Sequence, residues 1–174
     1  MMVVWSGKQR GGSMDRPPLP PGPVPEALGA FLGHWSGTTH WEATAWSPAH
    51  TDAVEVAFAA AAGGHAVAMT YRHTEPDGSC SEGVGIFAAD PIHAHTFWYH
   101  TTAAGVPLEG RDRATLRDGT LTVERRRGSA TIRHVLNARD GVLTHSAGLW
   151  RHHRNELLPL MTTVCQRVAT SQGH

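Results

Sequence analysis

With 174 residues, 15 basic and 15 acidic side chains and a formal net charge of zero, the chain is long enough for one core and too short for two comfortable domains. A balanced charge gives no electrostatic reason to bind nucleic acid or an anionic membrane, and both are excluded as expected partners. The two cysteines, Cys80 and Cys165, match no metal or redox spacing and are expected as two buried thiols in a reducing compartment.

Residues 1–24 include Gly11-Gly12 and the run Pro17-Pro18-Leu19-Pro20-Pro21-Gly22-Pro23, which cannot donate a regular hydrogen-bond ladder. They are expected as a disordered leader ahead of one domain over 25–170. The first residues show no apolar stretch followed by a cleavage site, and no apolar run reaches the ~18 residues of a membrane span. A cytoplasmic location is the expectation. Pro25 to Leu32 reads as a short helix. Gly33-His34-Trp35-Ser36-Gly37 then reads as the first strand of a closed β-barrel, with the Trp plugging one end and the glycines admitting neighbouring backbone or a bend.

Strand-like segments follow at short, regular intervals: His34–Trp46, Asp52–Ala62, His65–Thr74, Ser79–Ala89, His95–Thr102, Leu108–Leu116, Thr120–Arg126, Ala130–Asn137, Gly141–Trp150 and Leu157–Val168. The connectors are turn chemistry: Gly63-Gly64, Glu75-Pro76-Asp77-Gly78, Asp90-Pro91, Arg117-Asp118-Gly119 and Arg139-Asp140-Gly141. The expected fold is therefore all-β, a single antiparallel up-and-down β-barrel of roughly ten strands with a short N-terminal helix.

Alternation sorts the faces, because successive side chains on a strand point to opposite sides. Gly37, Thr39 and Trp41 share the face of Trp35. Val54, Val56 and Phe58 are expected inward from the second strand, and Val67, Met69, Tyr71 and His73 from the third. From the fourth the same logic selects Val84 and Ile86, with Glu82 and Cys80. Ile132 and Leu136 carry His134 inward from the eighth, and Leu143, Ala147 and Leu149 carry His145 from the ninth. In the fifth, Phe97 and Tyr99 oppose Trp98 and His100, and both faces look buried.

Four segments together resemble a bacterial family of calycin-like barrels related to the lipocalins and nitrobindin. They are Leu32-Gly33-His34-Trp35-Ser36-Gly37, the run from Gly83 to Pro91, Phe97-Trp98-Tyr99 with Gly105, and Pro159-Leu160-Met161 at the last strand. The resemblance spans about Ala27 to Val168 and implies a barrel able to enclose a small ligand. It brings no agreed activity. The nitrobindin branch binds haem through a His near the start of its last strand. Here that neighbourhood holds Leu160 and Met161, which leaves His145 or His153 as alternative axial ligands.

Apolar walls with a few placed donors and acceptors describe a ligand pocket. Trp41, Thr39, Met69, Trp98, His100 and His134 are the expected ligand-binding residues. Tyr71, His73, Glu82 and His145 are the candidates for proton transfer, since burial shifts the pKa values of such groups towards working pH. The primary reading is a barrel holding a small, mainly apolar organic ligand, compatible with bacterial specialised metabolism. The alternative is a cofactor-independent acid/base enzyme, a cyclase, isomerase or dehydratase, acting on a substrate inside the barrel; a haem-binding barrel stands behind both. No cofactor is expected.

Neither a Gly-x-Ser-x-Gly nor a Cys–His signature points to a nucleophile. His93 and His95 form a His-x-His pair that reads as solvated turn histidines, so no metal is expected. Arg125-Arg126-Arg127 reads as a solvated basic run. The chain leaves a homodimer open.

Overall fold

The computed structural model describes residues 26–45, 47–90, 95–102 and 112–169, the side chains of 89, 90, 95–102 and 127 excepted. Ten strands run through the described residues: β1 Gly33–Trp41, β2 His50–Ala61, β3 Ala66–Thr74, β4 Cys80–Asp90, β5 His95–Thr102, β6 Asp112–Arg117, β7 Thr120–Arg127, β8 Ala130–Arg139, β9 Val142–Arg151 and β10 Glu156–Arg167. Each pairs antiparallel with the next, and β1 also pairs with β10, so the sheet closes into an up-and-down barrel in the order β1-β10-β9-β8-β7-β6-β5-β4-β3-β2. Every described strand thus has a neighbour on both sides. The tight turns follow from their residues. Asp118-Gly119 and Asp140-Gly141 both take positive φ, at 50° and 75° and at 51° and 76°, the geometry whose twist matches antiparallel strands.

Two expected boundaries move. β1 ends at Trp41, because the chain turns between Thr44 and Ser47, where Thr44 N donates to Ser47 O at 2.8 Å. Trp46 itself lies outside the described residues, as do the leader over 1–24 and the expected start of the sixth strand at 108–111. Of the expected helix over 25–32, Glu26 and Ala27 are helical among the described residues, and turns follow, with Gly29 N, Phe31 N and Leu32 N each donating three residues back. Among the described residues no helix is long and apolar enough to cross a membrane.

These turns seat Leu28 and Phe31 in one end of the barrel, where Trp35 is 1% exposed and donates its indole N–H to Phe31 O at 2.7 Å. Arg167, at the end of β10, lays its guanidinium 4.1 Å from the Trp35 ring and bonds the carbonyls of Ala30 and Leu32. The barrel has a floor. Above it, Phe58, Val67, Phe87, Leu121, Leu143 and Cys165 form the apolar core.

The inner faces of β1, β2, β3, β8 and β9 are those that alternation selects, but β4 is reversed. Phe87 is fully buried, whereas Val84 and Ile86 are 39% and 43% exposed, and Glu82 and Cys80 are exposed with them. The reason lies in β3: Tyr71 pairs with Gly83 and Met69 with Gly85, and glycines on the inner face leave room for the large side chains beside them. The expectation of two buried thiols fails at the same place, since Cys165 is buried and Cys80 is exposed.

β10 carries a bulge between Pro159 and Met161, where proline has no N–H to give to the ladder. The extra residue lets Leu160 and Met161, adjacent in sequence, both line the interior.

Candidate functional site

The barrel encloses a cavity of about 320 Å3 above the packed floor. Its walls are largely apolar, with Val54, Val56, Phe58, Met69, Leu136 and Leu143 supplied by alternation on β2, β3, β8 and β9. Set into them are Tyr71 and His73 from β3, Arg125 from β7, His134 from β8, His145 from β9 and Thr163 from β10. β3 and β8 stand five places apart in the closed ring of ten, so the Tyr71–His73 wall faces the His134 wall directly.

On one wall, His134 Nδ1 lies 3.0 Å from His145 Nε2, with ring centroids 5.3 Å apart. Two imidazoles at this distance share one hydrogen: one ring donates and the other must accept, so the pair cannot hold two full positive charges without breaking the contact. The neighbouring β7 brings Arg125 to the same side, held by Asp112 through Nε at 2.7 Å and Nη2 at 2.6 Å.

On the other wall, the Tyr71 and His73 rings meet edge to face with centroids 5.4 Å apart. Burial pushes the Tyr71 phenol above its ordinary pKa, and the Arg125 charge partly offsets this. Burial pushes the His73 imidazole below its ordinary value, against the pull of Asp52. Asp52 is 4% exposed and belongs to the same inner row of β2 as Val54. Its Oδ2 accepts the Trp41 indole N–H at 2.7 Å and lies 4.0 Å from His73 Nδ1. His50 Nε2 stands 3.8 Å from Oδ1, and the His50 ring stacks on Trp41.

Six of the expected residues therefore meet at one cavity: Tyr71, His73, His134, His145, Met69 and Trp41. Thr39 faces inward but is fully buried, its hydroxyl bonded to Thr163 at 2.7 Å, and Thr163 is the member of that pair that reaches the cavity. Glu82 does not join them. It sits exposed on the outer face, 3.5 Å from Arg72 Nε, because the glycines and not the valine and isoleucine of β4 face inward. The register pairs Trp98 with Phe87 and His100 with Gly85, but the side chains of both, like all of His93, lie outside the described residues.

Three residues were missed, and alternation carried the signal for each. Asp52 extends the inward row of Phe58, Val56 and Val54 by one step, and Arg125 extends that of Leu121 and Val123. Reading the three arginines as one solvated run concealed the inward one. Asp112 likewise extends the row of Leu116 and Ala114, but its pairing with Arg125 exists only once β6 and β7 are aligned.

At the start of β10, where the resemblance places the nitrobindin haem ligand, the bulge presents Leu160 and Met161, and His153 is exposed on a single 3-10 turn, His152–Arg154. These residues do not fit a histidine-ligated haem held from that position.

No protein-family model matches the sequence, and no curated protein does. Among solved structures, Rv2717c from M. tuberculosis matches with a TM-score of 0.58 and 13% identity, over 84% of this chain and 98% of that one. The S-type phycobiliprotein lyase CPES from Guillardia theta matches with a TM-score of 0.61 and 9% identity, over 84% of this chain and 93% of that one. At such identities the likeness is one of fold, and the fold is that of a calycin-like β-barrel.

Proposed function

We propose that the barrel interior binds a small, mainly apolar organic molecule, and that the chain is a ligand-binding member of the nitrobindin-related barrels its sequence segments resemble. The observation that carries this is the cavity of about 320 Å3, enclosed by a closed sheet and lined by apolar side chains, with Tyr71 and His73 facing His134 across it. Such a volume lies at the small end of ordinary ligand sites, and a few polar groups among apolar walls fix orientation while burial supplies affinity. A molecule with an apolar body and one or two polar atoms is the complementary shape.

Native mass spectrometry of freshly purified protein is the direct test, run beside Ala147→Trp, which places a large ring at a buried lining position. Wild type should carry a bound small mass or take up an apolar fluorophore, and the variant should lose both. Equal uptake by the folded variant, or none by wild type, overturns the reading.

A further inference from the structure

Among the described residues, His73 on the cavity wall and Asp52 behind it each carry an unsatisfied buried atom. Asp52 Oδ1 and His73 Nδ1 are buried without a hydrogen-bond partner, while the residues themselves are only 4% and 7% exposed. A buried carboxylate with a single hydrogen bond is costly, and so is an unpaired ring nitrogen. The two sit together, with Nδ1 4.0 Å from Oδ2, about 1 Å beyond a hydrogen bond. A modest rotation of the imidazole closes that gap, and contacts of this kind commonly tighten only when the site is filled. The carboxylate cannot drift away, because Trp41 holds it at 2.7 Å. With Nδ1–H turned to Asp52, the ring is fixed in the tautomer whose Nε2 is a bare acceptor on its opposite edge.

We propose that Asp52 and His73 form a proton-accepting pair, and that the molecule the barrel takes carries a weakly acidic hydroxyl, a phenol or an enol, whose proton passes to Nε2 of His73. This rests on the interior-binding reading and names the class of ligand. In the step the ligand O–H bond breaks, an N–H bond forms at Nε2, the electron pair stays on the ligand oxygen, and the imidazolium lies between that oxyanion and the Asp52 carboxylate. Net charge is unchanged and no other reactant is needed. His73 is the residue that touches the ligand; Asp52 is a positioning residue acting through it.

The surrounding groups agree with this assignment. Trp41 of β1 and Ser81 of β4 add no charge, His50 of β2 stands behind Asp52, and Tyr71 of β3 adjoins His73. Arg125, His134 and His145 on the other side of the cavity supply no carboxylate that would repel a ligand oxyanion, and Asp112 is engaged by Arg125. Burial leaves the His73 ring neutral but lowers its basicity, against the pull of Asp52; the proton is accepted because the imidazolium is then flanked by the ligand oxyanion on one edge and the Asp52 carboxylate on the other.

The test uses 4-nitrophenol, whose ionisation is visible as the phenolate band, and 4-nitroanisole, which has nearly the same shape and no acidic proton. Full-length wild type, Asp52→Asn and His73→Gln are compared. In wild type the ionisation midpoint of bound 4-nitrophenol should fall by about one pH unit, a tenfold enrichment of phenolate. Asp52→Asn, which can still accept from Trp41, should abolish most of that shift while 4-nitroanisole binding stays within about twofold, the split expected of a group acting on ionisation alone. His73→Gln should abolish it entirely. If both probes bind and the midpoint stays at its free value, or Asp52→Asn leaves it unmoved, the proton-accepting pair is wrong and the interior site survives. If neither probe binds and native mass spectrometry finds no ligand, the interior site falls and takes this inference with it.

Discussion

The Tyr71 ring lies against Gly83 on the neighbouring strand so closely that a Cβ on Gly83 would stand 2.5 Å from Cζ and 2.6 Å from Cε1 of the tyrosine. The absent side chain of one residue is the seat of the other. Gly83→Ala should therefore displace Tyr71 into the cavity, costing the ~1–3 kcal/mol of ordinary overpacking and weakening interior binding. Denaturant unfolding should show the loss, and Tyr71→Ala in the same chain should relieve it. Gly37→Ala should be worse and beyond rescue, because there the new Cβ meets backbone, 2.6 Å from Cys165 Cα on β10, at the seam that closes the barrel.

His134 and His145 should behave as one unit. Replacing either by Leu removes the hydrogen bond between the two rings, so the two single substitutions should not add. A double-mutant cycle read by urea unfolding should give a coupling of about 0.5–3 kcal/mol. Additivity would show that the 3.0 Å contact carries no energy.

Stability should fall on the acid side through His73. Its folded pKa is depressed by burial, so below the ordinary value of 6.5 the unfolded chain binds a proton that the folded chain refuses. Stability is thus full above that value, declines as pH drops below it and levels off beneath the folded value. His73→Gln should flatten this limb. Tyr71 acts at the other end: its raised pKa means stability is lost as pH climbs past 10, and Tyr71→Phe should remove that part. Equilibrium unfolding across pH reads both.

The two thiols should separate cleanly. Cys80 is exposed, and the Arg72 guanidinium, 3.4 Å from its sulfur, lowers its pKa with help from the Thr74 hydroxyl. Cys165 is 1% exposed, and burial pushes it up to about 11. A thiol reagent at neutral pH should titrate Cys80 promptly in the native protein and Cys165 only after denaturation. Cys80→Ser should leave no fast phase.

The number of strands, their approximate limits and their antiparallel sequence were legible in the chain, because alternation and Asp-Gly turns are local signals that survive without knowledge of neighbours. So was the inward set Val67, Met69, Tyr71 and His73, since one face of that strand is plainly the more apolar. The face of β4 was not. Its valine and isoleucine point outward because Tyr71 and Met69 on β3 need the glycine positions opposite them, and that need exists only once the strands are paired.

The same division holds at the site. Local pattern placed His73, His134 and His145 on inner faces, but an inner face has no partner until a register is set. The register of β8 on β9 brings His134 to His145, and that of β2 on β3 puts Asp52, unnoticed at the end of an apolar row, behind His73. A side chain's direction is fixed by its own two neighbours in sequence, whereas the group it faces is decided by strand register and barrel closure, which are properties of the whole sheet.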